Sequence, residues 1–153
     1  TDPPEKKKVS ALRDFIDAEL EDAAQQMKAM GPAGLAVGTS KTFRTLARLT
    51  GAAPSSAGPY VKRTLTAPGL RQLISFISRM TAADRADLEG VSSNRSHQIV
   101  AGALVAEASM RALDIEKLEI CPWALREGLI LKRIEHLAEG TGTPVNPKTL
   151  LGE

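Results

Sequence analysis

Only two stretches of this chain read as β-strand, Gly34-Leu-Ala-Val-Gly38 and Leu118-Glu-Ile120, and helical patterning fills most of the remainder. Two short strands cannot make a sheet with buried faces unless other strands join them. The sequence therefore predicts an α/β, helix-rich piece of a layered fold whose small sheet needs strands from an upstream segment. A core is within reach, since 153 residues at 42% hydrophobic and 25% charged fit one ordinary folded domain. Aromatics make up only 3%, so that core must be built from Leu, Ile, Val, Ala and Met.

The same composition excludes several classes of function. A net charge of +2 is too small to imply nucleic acid, and the aromatics that base stacking wants are scarce. No apolar run approaches the ~18 residues of a membrane span, and no signal peptide opens the chain. The single cysteine, Cys121, excludes an internal disulfide and fits a reducing, cytoplasmic setting. The opening Thr-Asp-Pro-Pro lacks an initiator methionine, which is compatible with an excised fragment.

Along the chain, Val9, Leu12, Phe15, Ile16, Leu20 and Met27 recur at helical spacing from Glu5 to about Met30, where Gly31-Pro32 ends the helix. The strand at 34–38 leads directly into Thr39-Ser40-Lys41-Thr42 and a helix to about Thr50. Residues 51–59, rich in Ala, Ser, Gly and Pro, read as an exposed loop. Thr66-Ala67-Pro68 predicts a capped helix start, with Leu70, Leu73, Ile74 and Ile77 as its buried stripe. A short helix is expected from Thr81 towards Gly90, then a long one over Arg95–Leu113 capped by Ser92 or Ser93, and a last one from Pro122 to about Leu137. The expected organisation is one unit over residues 1–138 followed by a disordered tail over 139–153.

Two places invite an anion. Gly38-Thr39-Ser40-Lys41-Thr42 puts a glycine and hydroxyl residues at a helix N-terminus, where unpaired N–H groups and the positive dipole end gather. Lys41 and Arg44 sit where the dipole disfavours cations, which makes sense if an anion lies among them. The plainer alternative is a Thr39 or Ser40 cap with solvated cations. Arg95, read as the start of the long helix, repeats the pattern, since guanidinium suits bidentate phosphate contact; a solvated arginine is its alternative. Gly102 costs ~1 kcal/mol inside a helix and, with its neighbouring alanines, implies close packing. Glu107 is expected to pair with Arg111 at i+4. His97 and His136 stand alone, with no metal-ligand spacing around them.

The order and wording of residues 95–131, from Arg95-Ser-His-Gln-Ile-Val-Ala-Gly102 through the Cys-Pro break to Leu125-Arg-Glu-Gly128, resemble the C-terminal half of the Ppx/GppA phosphatase family. The blocks 39–50, 59–88 and 98–131 are similar to actinobacterial exopolyphosphatases in particular. The resemblance implies the C-terminal part of a ribonuclease-H-like domain of the actin-like ATPase superfamily. It implies hydrolysis of terminal phosphates from inorganic polyphosphate, or alternatively from guanosine pentaphosphate, with magnesium and within a homodimer. It also implies a phosphate-binding role for Gly38, Thr39, Ser40, Lys41, Thr42 and Arg95. The family's Asp-x-Gly-Ser and Asp-Gly-Gly-Gly-Ser loops and its catalytic Glu have no counterpart here, so no catalytic or metal residue is assigned and the magnesium ligands are expected in a missing N-terminal half. His97 stands where the family motif has an acid, which puts that acid's role in doubt for this chain. A non-catalytic polyphosphate-binding or dimerisation module, using the small-residue faces at 101–108 and 124–128, is the alternative.

Overall fold

The computed structural model describes residues 2–123 and 125–141, which fall in two compact units, Thr1–Cys121 and Pro122–Glu153. In the first unit α1 (Lys6–Ala29) is followed by β1 (Val37–Gly38), α2 (Lys41–Leu49), β2 (Thr64–Thr66), α3 (Ala67–Ile77), α4 (Ala82–Ala86), α5 (Ile99–Ala112) and β3 (Lys117–Ile120). The second unit, described by itself, holds α6 (Leu125–Thr141). In its first turn Arg126 pairs with Glu127 at 3.3 Å. No helix among the described residues is long and apolar enough to cross a membrane.

The sheet has three strands rather than the expected two. β3 is central, pairing parallel with β1 through Val37↔Glu119 and Gly38↔Ile120. It pairs antiparallel with β2 through Thr64↔Glu119, Leu65↔Leu118 and Thr66↔Lys117. The extra strand comes from the residues just before the α3 cap. Only Leu65 carries a core side chain there, fully buried between two threonines. Thr66 closes the strand and opens the helix, its Oγ1 accepting from the Gly69 N–H at 3.3 Å. Residues 51–63 are tied together by Arg63, which donates to the carbonyls of Ala53 (2.9 Å), Pro54 (2.6 Å) and Gly58 (2.9 Å).

The core gathers the expected stripe of α3 (Leu70, Leu73, Ile74, Ile77) with Leu46 and Ala47 of α2 and Ile99, Val100, Ala103, Leu104 and Met110 of α5. α1 lies along α5 with Ile16 buried and Val9, Leu12 and Leu20 packed at the margin. Phe15 and Met27 belong to the same sequence stripe, yet both are exposed, because one neighbouring helix covers a narrower band than the apolar pattern occupies. Charge pairs stitch the two helices. Glu107, buried on α5, accepts from Arg13 at 3.1 Å and meets Arg111 at 3.5 Å, the expected i+4 pair, while Arg111 reaches Asp17 at 2.8 Å. The alanines at 103, 106 and 108 are buried in this unit's core, while Ala101 and Val105 are exposed.

Two helix limits differ from expectation. The long helix begins at Ile99, not at Arg95. Residues 93–95 form a 3₁₀ turn instead, with Arg95 N–H bonded to the Ser92 carbonyl at 2.8 Å and Gln98 N–H to the Arg95 carbonyl at 2.9 Å. The α5 ladder starts only where Gly102 N–H reaches Gln98 at 2.9 Å. A run of Ser, Ser and Asn competes with the helical ladder through local bonds, here Ser96 Oγ to the Ser93 carbonyl at 3.0 Å. α6, for its part, runs through Glu139 to Thr141, across the boundary expected at 138; the rest of the expected tail, from residue 142, lies outside the described residues.

Candidate functional site

The turn between β1 and α2 places the first predicted segment. Gly38, buried in β1, gives its carbonyl to the Cys121 N–H at 3.0 Å. A Cβ there would stand 3.0 Å from the Phe43 ring, so glycine lets that ring pack closely against the strand. Thr39 and Ser40 are exposed, and Ser40 is the N-cap of α2, its Oγ accepting from the Phe43 N–H at 3.1 Å. The capping role weighed for this segment is thus present, and it falls to Ser40. Lys41 and Thr42 occupy the first turn, Lys41 exposed and Thr42 half-buried.

Arg95 is brought to the same place from far along the chain. Lys41, Thr42 and Thr45 of α2 line a small recess of about 40 Å³ together with Ser92, Arg95 and Gln98, with Val91 and Ile99 as its apolar wall. Gly38, Thr39 and Ser40 are not part of that lining. The site thus unites Lys41, Thr42 and Arg95 and leaves the rest of the predicted set as the structural approach to it. Thr45, Ser92 and Gln98 also line the recess; of these the sequence suggested only Ser92, and as a cap of the long helix, a bond its side chain does not make. Thr45 was within reach of the sequence reading, being one helical turn beyond Lys41 on the same face.

The recess carries two cationic side chains and no carboxylate. That donor set suits an anion with several acceptor oxygens and does not suit a divalent cation held by protein ligands. Among the described residues, Ser92 Oγ is one of two buried side-chain polar atoms with no hydrogen-bond partner, the other being Arg48 Nε. Buried polar atoms of this kind are few in native proteins, and this one stands in the wall of the recess. Among the described residues no three His, Cys, Asp or Glu side chains gather into a metal-holding group. His97 and His136 are both exposed, and Cys121 is a half-buried free thiol.

A clasp between α2 and the segment before Arg95 holds the recess together. Thr45 Oγ1 donates to the Gly90 carbonyl at 3.2 Å, Arg48 pairs with Glu89, and Arg48 also donates to the Ala52 carbonyl at 3.0 Å. Gly90 adopts φ 88°, where a side chain is strained, and a Cβ there would come within 3.2 Å of the Arg48 stem. The hydrogen bond from Arg48, reinforced by its charge, holds the Glu89 carboxyl below its ordinary value. On the short helix α4, Asp84 is likewise lowered, chiefly by hydrogen bonds from Thr81 in a capping box.

The sequence pattern of the Ppx/GppA phosphatase family matches residues 1–137. The chain belongs to that family. It is 69% identical over 140 residues to Exopolyphosphatase 1 of Mycobacterium tuberculosis, covering 92% of this chain and 41% of that protein. The counterpart in Mycobacterium leprae is 66% identical over the same span. The chain therefore spans about two fifths of the length of these curated relatives. Its fold superposes on part of the Aquifex aeolicus Ppx/GppA family member, with a TM-score of 0.73 at 22% identity, covering 88% of this chain and 42% of that one. It also superposes on an exopolyphosphatase from Cytophaga hutchinsonii, with a TM-score of 0.75 at 16% identity, covering 89% and 44%. The chain thus shares the helix-rich α/β fold of these Ppx/GppA proteins over part of their length.

Proposed function

We propose that this Ppx/GppA chain supplies the phosphate-gripping wall of an exopolyphosphatase, acting on inorganic polyphosphate within a longer protein. The observation that carries the reading is the convergence of Lys41 and Arg95, more than fifty residues apart in sequence, on one recess that lacks carboxylates. Phosphoryl transfer depends on positioning and on stabilising negative charge. Lys41 acts as a point charge and Arg95 as a planar fork on successive phosphate oxygens. Ser92 and Thr42 supply neutral hydroxyl donors beside them. Names of close relatives support polyphosphate as the substrate. The recess also has no aromatic face on which the base of guanosine pentaphosphate would stack. Magnesium, when bound with substrate, neutralises phosphate charge; in this reading its ligands, the attacking water and the catalytic base come from the rest of the longer protein.

The test is phosphate release from short-chain polyphosphate with magnesium, measured for this chain alone and for the same chain joined to the remaining length of a full relative. Release by the longer protein only, reduced at least tenfold by Arg95→Ala, is the expected result. Release by the 153-residue chain alone would overturn the reading, because base and metal ligands would then lie among its own residues.

A further inference from the structure

Arg85 is the most deeply buried charged side chain among the described residues, 3% exposed, and the function proposed above does not use it. Its guanidinium meets mostly backbone. Nη1 donates to the carbonyls of Ile77 (3.2 Å) and Met80 (2.6 Å) at the end of α3. Nη2 reaches Asp2 Oδ1 at 3.3 Å, and Nε donates to the Ser96 carbonyl at 2.9 Å. Burying a cation this completely is unfavourable unless its hydrogen bonds are all made. The Nη1 bonds are what a cation at a helix C-terminus makes, and Nη2 adds an ion pair with Asp2. The bond from Nε is different, because it reaches the residue next to Arg95.

We propose that Arg85 is a positioning residue for Arg95. The inference rests on the reading of Arg95 as a phosphate ligand. The 3₁₀ turn that carries Arg95 is held at its start by Thr45 and Arg48 through Gly90 and Glu89, and at its end by Arg85 through Ser96. Ser96 is itself buried, and its Oγ bonds back to the Ser93 carbonyl at 3.0 Å. With both ends fixed, the Arg95 backbone is set before any anion arrives. A guanidinium ligand whose backbone is fixed in advance has less ordering left to do when it binds.

Arg85→Lys separates this role from the helix-end role. Lysine places a methylene where Nε stands and its ammonium where the guanidinium carbon stands. The ammonium keeps the positive charge beside the end of α3, while a methylene replaces the donor that faces the Ser96 carbonyl. Binding of tripolyphosphate to the 153-residue chain is measured by titration calorimetry at fixed salt, beside thermal unfolding. Arg95→Ala is expected to weaken binding roughly tenfold, as loss of a charged hydrogen-bonding group does. Arg85→Lys is expected to weaken it about threefold, and to have no further effect in the Arg95→Ala background, as a residue acting through another must. Ile16→Val, a core change on α1, serves as a control that lowers stability without changing binding. Should Arg85→Lys fold poorly, Ser96→Ala loosens the same turn from the other side and is expected to lower affinity in the same way.

Hydrogen exchange at residues 93–98 gives a readout independent of ligand. It should rise in Arg85→Lys while that of α1 stays unchanged. Wild-type affinity in Arg95→Ala, or no binding by the wild type, would overturn the phosphate reading. Loss of affinity in Arg95→Ala alone, with Arg85→Lys binding normally or weakening binding equally without Arg95, would overturn the positioning role. Unchanged exchange at 93–98 in Arg85→Lys would overturn it too, whatever the ligand does.

Discussion

Replacing Gly102 by alanine sets two effects of opposite sign against each other. Glycine inside an exposed helix is worse than alanine by about 1 kcal/mol, so propensity alone favours the change. The new Cβ, however, would stand 2.9 Å from Thr42 Cγ2, well inside ordinary contact. Thr42 is β-branched and sits in the first turn of α2, so its methyl has little rotameric room to withdraw. Overpacking of this kind costs roughly 1–3 kcal/mol. The net expectation is a destabilisation of about 1 kcal/mol, or roughly 3 °C in the unfolding midpoint for a chain of this size. Thr42→Ser removes the obstructing methyl and keeps the hydroxyl. In that background Gly102→Ala should stabilise by about 1 kcal/mol, so the coupling between the two sites is about 2 kcal/mol. Urea unfolding of the four proteins measures it, provided the slopes agree. Equal gains from Gly102→Ala in both backgrounds would refute the reasoning, since Thr42 would then be yielding freely.

Three further outcomes are expected. Glu107→Gln takes the charge from between Arg13 and Arg111 and should lower stability by about 1–2 kcal/mol in urea unfolding, less at high salt because both arginines are partly exposed. Ser40→Ala removes the α2 cap and should cost about 1 kcal/mol in the same assay while leaving tripolyphosphate affinity within twofold, because Ser40 does not line the recess. Asp84 and Glu89 have folded values below their ordinary ones, so their contribution to stability is present above those ordinary values, near 3.8 and 4.5, and is lost as pH falls through the lowered folded values. The acid limb of stability against pH should accordingly flatten in Asp84→Asn and in Glu89→Gln; an unchanged limb in both would show that neither pair matters to folding.

Much of the helical scaffold is legible in the sequence because its signals are local. Thr66, Pro68 and four apolar residues at helical spacing announce α3, and the observed cap bond and buried stripe are theirs. β2 is not legible, because Thr64-Leu65-Thr66 is too short a run for its alternation to mark a strand; it becomes one by pairing with β3. The start of α5 fails for a related reason. Residues 95–98 look helical in isolation, and the 3₁₀ turn with its anchor on Arg85 replaces that continuation with a tertiary one. At the candidate site, Lys41 and Arg95 each stand out as cations near helix starts. Their shared recess does not, since it depends on Thr45 and Arg48 docking the segment at Gly90.

The position of β3 in the chain has a consequence for synthesis. Among the described residues it comes last of the three strands, yet both others pair there only with it, and α1 packs chiefly on α5, the helix just before it. At roughly 5–20 residues per second, several seconds pass between completion of α1 and emergence of its partner. During that delay the 24-residue α1 lacks the helix that covers its apolar stripe, and so lacks the packing from which most helical stability comes. β1 and β2 wait for the strand that joins them. A nascent chain stopped just short of Lys117 would already contain the five α-helices of this unit, while β1 and β2 still lacked the strand that joins them.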